Sequence, residues 1–142
     1  MTEQRKNILL YTLPVVSLLL LVLDRVAQDN FFYWTYWWYD IMMHFLGGFL
    51  VAGIALWFFV RFFRTEHTKA FHALIVAVLS VLTVGLGWEY FEFFSGSLSL
   101  QEGSVIGDTA LDLVMDTLGA LCMWLVVSAA FFFRPRITNK TL

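Results

Sequence analysis

The chain has 142 residues, of which 60% are hydrophobic, 18% aromatic and only 14% charged, and its mean hydropathy is +0.75. A soluble domain of this size lacks the interior volume to bury so much apolar surface, so the composition predicts a protein embedded in lipid. The net charge of −2 gives no reason to expect a nucleic-acid partner. The single cysteine, Cys122, excludes an intrachain disulfide, and because it lies in an apolar run we expect a buried, inert thiol.

Four apolar runs are long enough to cross a bilayer, because about 20 helical residues span a hydrocarbon core of roughly 30 Å. They are residues 8–23, 41–60, 71–94 and 109–133. The first run follows basic residues, as a signal peptide does, but Arg25 interrupts the small-residue cleavage pattern before Ala27, which favours an uncleaved anchor. We therefore expect an all-α fold, a single membrane domain over residues 1–142 with four transmembrane helices.

The distribution of lysine and arginine predicts the orientation of these helices. Eight of the nine basic residues fall at one end of a four-span arrangement, namely Arg5, Lys6, Arg61, Arg64, Lys69, Arg134, Arg136 and Lys140. Only Arg25 lies at the other end. Because loops rich in lysine and arginine stay in the cytoplasm, both termini are expected inside, in a multi-pass protein of the inner (plasma) membrane.

The segment between the first two spans, residues 31–39, is almost wholly aromatic. Such rings commonly lie at headgroup depth and form an interfacial belt. A sharper interpretation is an aromatic lid or a lipid-binding groove. Under both interpretations membrane lipid is an expected partner.

Acidic and histidine side chains recur at helical spacing near the ends of three spans. They are Asp40 and His44 at the start of the second span, Glu89 and Glu92 at the end of the third, and Asp108, Asp112 and Asp116 at the start of the fourth. Spacings of three and four residues place each set on one helical face. In a four-span topology these three segments meet at the same, outer end of the bundle.

Small residues continue these polar stripes deeper into the helices. They are Gly47, Gly48, Val51 and Ala55 below His44, Gly85 below Glu89, and Gly119 and Ala120 below Asp116. Small residues let helix backbones approach closely in lipid, so we expect the stripes to lie in the packed seam of the bundle. Leu56 is expected to face lipid instead.

Five carboxylates in one partly dehydrated layer need compensation, because an uncompensated charge at membrane depth costs at least ~2.5–3.5 kcal/mol. A bound divalent metal ion would supply it, with Asp40, His44, Glu89, Glu92, Asp112 and Asp116 as candidate ligands. Carboxylates with one imidazole suit Mn²⁺, Fe²⁺ or Zn²⁺, whereas carboxylates with carbonyls and water suit Mg²⁺ or Ca²⁺. A proton or ion relay and a purely structural network are the alternatives.

Three motifs occur in order along the chain: Asp40-x-x-x-His44-Phe45-x-Gly47-Gly48, Trp88-Glu89-x-x-Glu92 and Asp108-Thr109-x-x-Asp112-x-x-x-Asp116-x-x-Gly119. This order resembles the YjdF-like family of small bacterial inner-membrane proteins and, more loosely, the VanZ-like group. The resemblance covers about Asp40 to Gly119. It implies a polytopic bacterial membrane protein with these polar positions, and no activity comes with it.

Three classes of function fit this pattern. The first is an intramembrane metalloenzyme acting on a lipid or lipid-linked substrate, with Glu89 or Glu92 as general base. The second is an ion- or proton-conducting or transport protein, which at this length would work as a homo-oligomer. The third is an accessory subunit of a larger membrane complex, in which the cluster only joins helices.

Overall fold

The computed structural model describes residues 3–63, 65, 67–95 and 105–131, and this part of the chain is helical with short connections. The helices are α1 (Glu3–Asp29), α2 (Phe32–Thr35), α3 (Trp38–Phe58), α4 (Ala70–Ser95) and α5 (Val105–Phe131). A π-helical turn over Phe59–Phe63 extends α3. The expected all-α fold is confirmed.

Four helices are long and apolar enough to cross a membrane, as the sequence predicted. These spans are Leu10–Asp29 in α1, Trp38–Phe63 in α3 and its extension, Ala70–Ser95 in α4 and Ile106–Phe131 in α5. The first helix is longer than the expected 8–23, because its helical backbone continues through polar residues beyond the apolar run. The last two residues of the expected fourth span, 132–133, lie outside the described residues, as do Arg64, Arg134, Arg136 and Lys140.

The core is formed by α3, α4 and α5, and α1 packs mainly against α3. Fully or almost fully buried core residues are Ala52, Leu56, Val60, Ala73, Ala77, Val81, Ala120, Met123, Val127 and Phe131. Of the α1 side chains that the structure describes, only Leu13 and Ala27 are buried. Alanines and glycines at these contacts allow the close backbone approach that stabilises helices in lipid.

Two expectations about packing are wrong. Leu56 is fully buried instead of lipid-facing, because α3 contacts α1, α4 and α5 and so buries more than one face. Cys122 is exposed on the surface of the bundle. Apolar character did not separate core from lipid-facing positions, since lipid tails and core side chains are equally apolar.

Glycines set the distance between α3 and α5. A Cβ atom at Gly48 would collide with the backbone carbonyl of Asp116, and one at Gly119 would collide with the backbone carbonyl of Phe45. The two glycines therefore place the backbones of α3 and α5 in direct contact, as expected for the small-residue seam.

Polar contacts join α1 to the start of α3 through the short helix α2. Tyr33 of α2 donates a hydrogen bond from its phenol to Asp24 of α1 at 2.9 Å, and Tyr39 of α3 donates one to the backbone carbonyl of Leu23 at 3.0 Å. Burial, together with the Asp24 carboxylate, raises the pKa of the Tyr33 phenol, so this hydroxyl keeps its proton and remains a donor. These contacts fix the start of α3, where Asp40 and His44 lie.

Candidate metal centre

Polar side chains from α3, α4 and α5 converge at one end of the bundle. His44, Glu89 and Asp112 each lie six positions from the end of their span, counted from Trp38, Ser95 and Ile106. At 1.5 Å per residue this corresponds to about 9 Å along each helix. Four ionisable side chains of the cluster are buried, namely His44, Glu89, Asp112 and Asp116. Burial of a charged group at membrane depth costs free energy unless the charge is compensated.

His44 is the centre of this cluster. Its Nε2 atom lies 3.9 Å from Oδ1 of Asp40 and 3.8 Å from Oδ1 of Asp112. These separations are too long for direct hydrogen bonds. Two ligand atoms that each lie about 2.1 Å from a shared ion are roughly 3 to 3.5 Å apart, so a few tenths of an ångström of contraction would suffice for both carboxylates to share an ion with His44.

Asp116 faces the other nitrogen of the same imidazole. Its Oδ2 atom lies 3.6 Å from Nδ1 of His44, the shortest of the three separations. Gly85 of α4 makes room for this carboxylate, since a Cβ atom there would lie 2.6 Å from Oδ2. Asp116 therefore lies beside the imidazole nitrogen that does not face Asp40 and Asp112.

In the described part of the chain, only one of the two carboxylate oxygens of Glu89 accepts a hydrogen bond. The Thr109 hydroxyl of α5 donates a hydrogen bond to its Oε2 atom at 2.6 Å. Its Oε1 atom is buried and has no hydrogen-bond partner among the described residues. A buried acceptor without a partner is uncommon in folded proteins and calls for an explanation such as a bound ion or water.

Among the described residues, two groups of three side chains have ligand atoms within 4.8 Å of one another, and His44 belongs to both. One group contains Asp40, His44 and Asp112, and the other contains His44, Glu89 and Glu92. Of the six residues expected to hold a metal, the structure thus brings five together in these groups and places Asp116 on the far side of His44. Neither group includes Asp108.

Thr109 and Gly85 belong to the site but were not singled out for these roles from the sequence. Thr109 follows Asp108 directly and carries no charge, and its contact with Glu89 joins residues twenty positions apart. Gly85 was expected in the seam, but not beside a carboxylate. The sequence gives one indication for Thr109: it is a polar residue that lies one helical turn before Asp112.

Positive charge is scarce around the cluster. Arg25, the one basic residue expected at this end, pairs with Asp29 at 3.0 Å, and its side chain is 72% exposed. The other lysines and arginines in the described part of the chain lie at or near the opposite ends of the spans. The imidazole of His44, when protonated, carries positive charge beside Asp112 and Asp116, and a bound cation would be a second source of such charge.

Exposed aromatic rings surround this end of the bundle. Trp34, Trp37 and Trp38 are 54%, 73% and 46% exposed, respectively. Several rings of the segment pack on one another, as Phe32 and Tyr33 do on Tyr39. Outward-facing indoles are typical of a belt at the membrane interface, and this arrangement agrees better with a belt than with a lid over the cluster.

The fold and the cluster together define a multi-pass α-helical membrane protein with a buried acidic/histidine centre. A sequence family described as "Predicted membrane protein (DUF2238)" matches residues 2–132, and the chain belongs to this family. No curated protein and no solved structure matches the chain. The looser resemblance to the VanZ-like group therefore finds no support in these comparisons.

Proposed function

We propose that this protein binds a divalent metal ion at the outer end of its transmembrane bundle, between Asp40 and His44 of α3 and Asp112 of α5. The observation that carries the proposal is the position of His44 Nε2, which lies 3.8 Å from Asp112 and 3.9 Å from Asp40. All of these ligands come from one chain, so the site does not require a second copy.

The donor set favours a transition metal. One imidazole nitrogen and two carboxylates, with positions left for water, suit Zn²⁺, Mn²⁺ or Fe²⁺ better than Ca²⁺ or Mg²⁺, which prefer oxygen ligands alone. Asp116 would accept a hydrogen bond from Nδ1 and hold the imidazole in the tautomer that presents Nε2 to the ion. Glu89 and Glu92, whose ligand atoms form a second group with His44, would lie close to the ion without being part of this donor set.

The positions of the basic residues support an orientation of the protein in the membrane. Their concentration at the opposite end supports cytoplasmic termini, an outward-facing site and a place in the inner membrane. The order of the three motifs supports membership of the YjdF-like group within the wider family. Membrane lipid is then the solvent of the site and its nearest source of substrate.

Elemental analysis of the purified protein tests the proposal. Protein purified in detergent without chelator should contain close to one equivalent of a transition metal, and Asp112→Asn should lose most of it. Asp29→Asn is the matched control, because Asp29 lies at the same end but pairs with Arg25. Metal-free wild-type protein that takes up no Zn²⁺, Mn²⁺ or Fe²⁺ on titration would leave a relay or a structural network as the function of the cluster.

A further inference from the structure

Glu89 differs from the other carboxylates of the cluster in how it is held. It is 7% exposed, its Oε2 atom accepts a short hydrogen bond from Thr109, and its Oε1 atom has no partner in the part of the chain that the structure describes. A carboxylate that is fixed through one oxygen and has no hydrogen-bond donor at the other is suited to act as a general base, because its position is set and a lone pair is not engaged by the protein.

We infer that Glu89 is the general base of a hydrolytic reaction on the acyl ester of a membrane lipid, an inference that rests on the proposed metal site. The ligand atoms of Glu89, Glu92 and His44 lie within 4.8 Å of one another. Water bound to an ion beside His44 would therefore lie close to the Glu89 carboxylate. A divalent ion lowers the pKa of its bound water, and a carboxylate at this distance can then take the proton.

The depth of the site in its spans favours a lipid ester as the substrate. The three spans that form the cluster have 26 residues each, which corresponds to about 39 Å and exceeds a hydrocarbon core of roughly 30 Å. With the excess shared between both ends, residues six positions from a span end lie about 4 to 5 Å inside the hydrocarbon boundary. The acyl ester joins the hydrocarbon chain to the headgroup and lies at this boundary, whereas the phosphate lies farther out.

The surface beside the cluster suits a substrate that arrives from the membrane. Asp40 and Glu92 are partly exposed, so the cluster is open at its rim. On α4, Trp88 lies one turn before Glu92 and exposes 51% of its surface. Apolar and aromatic surface of this kind can pack against an acyl chain and bring its ester to the rim.

The reaction balances without an oxidant or a reductant. Water gives a proton to Oε1 of Glu89, and its oxygen forms a bond to the acyl carbon. The bond between that carbon and the glycerol oxygen breaks, and the proton on Glu89 passes to the departing alkoxide. The products are a fatty acid and a lysolipid.

The test uses full-length protein in mixed micelles of dodecylmaltoside and dioleoyl phosphatidylglycerol, with Mn²⁺ or Zn²⁺ added. Mass spectrometry in ¹⁸O-water should detect oleic acid that carries one ¹⁸O atom. Glu89→Gln should slow this release by at least ~100-fold, the lower end of what a general base contributes. The same variant should bind Mn²⁺ within a few-fold of the wild-type affinity.

Thr109 provides an independent readout as a positioning residue for Glu89. Thr109→Val should slow release, and Thr109→Ser, which keeps the hydroxyl, should restore it. Thr117→Val is the matched control, because Thr117 lies on the same helix and its hydroxyl donates a hydrogen bond to the Leu113 carbonyl instead of to Glu89. Equal rates for the valine and serine variants at position 109 would contradict the positioning role.

The outcomes separate this inference from the metal site. Protein that binds metal but releases no oleic acid, or that releases the phosphate headgroup instead, would overturn the inference and leave the metal site standing. Oleic acid release that Glu89→Gln does not slow would remove Glu89 from the reaction. Protein that binds no metal would overturn both proposals.

Discussion

Replacing Gly85 by alanine places a methyl group against the carboxylate of Asp116. The new Cβ atom would lie 2.6 Å from Oδ2 of Asp116 and 3.0 Å from a methyl group of Leu113. Both neighbours are side chains, so the bundle can accommodate the methyl group by moving Leu113 and Asp116, and we expect the displaced carboxylate to lose its position beside Nδ1 of His44. Overpacking of this kind costs about 1–3 kcal/mol, and loss of an orienting carboxylate typically lowers metal affinity 10- to 100-fold.

Gly87 offers the matched control on the same helix. A Cβ atom at Gly87 meets nothing within 4 Å, so Gly87→Ala should leave metal binding unchanged and gain up to about 1 kcal/mol from helix propensity. Unfolding of both variants in mixed micelles with dodecyl sulfate, followed by circular dichroism, measures the difference in stability. Competition with a chromophoric chelator measures the affinity for Zn²⁺. Equal stability and equal Zn²⁺ affinity for the two variants would contradict the role of Gly85 in making room for the Asp116 carboxylate.

Three further predictions address packing, the imidazole and the topology. Gly48→Ala should destabilise the bundle more than Gly85→Ala, because its Cβ atom would collide with the backbone of α5, and the same unfolding assay decides this. Asp116→Asn should lower Zn²⁺ affinity 10- to 100-fold while the metal content at saturation stays unchanged, as isothermal titration can show. Cysteine introduced at the exposed Thr35 should be labelled by an impermeant maleimide on intact cells, and labelling only after lysis would contradict the outward-facing site.

The helices were predictable because length and apolar composition alone define a membrane span. The ends of the helices were harder to predict, because α1 continues to Asp29 and α2 forms within the aromatic segment. Polar and aromatic residues at the membrane interface can be helical without forming a continuous apolar run. The spacing of the acidic and histidine residues, together with the four-span topology, also predicted that these side chains lie at one end of the bundle. Three helices that begin or end at the same surface bring such residues together whatever the details of packing.

The roles within the cluster could not be read from the sequence. Spacing places Asp116 on the same face as Asp112, but only the rotation of α5 against α3 decides which nitrogen of His44 each one meets. The contact between Thr109 and Glu89 likewise depends on how α4 and α5 pack. Burial of Leu56 and exposure of Cys122 also depend on how the helices are rotated against one another. In an apolar helix the sequence does not show which positions face the core and which face lipid.

The central claim is that a divalent ion completes the cluster, and a melting experiment with and without chelator tests it most directly. Free metal at a hundredfold excess over its dissociation constant stabilises the folded state by about 2.7 kcal/mol. EDTA should therefore lower the melting temperature of the wild type, added Zn²⁺ or Mn²⁺ should restore it, and Asp112→Asn should respond to neither. A wild-type melting temperature that neither chelator nor metal changes would contradict the account.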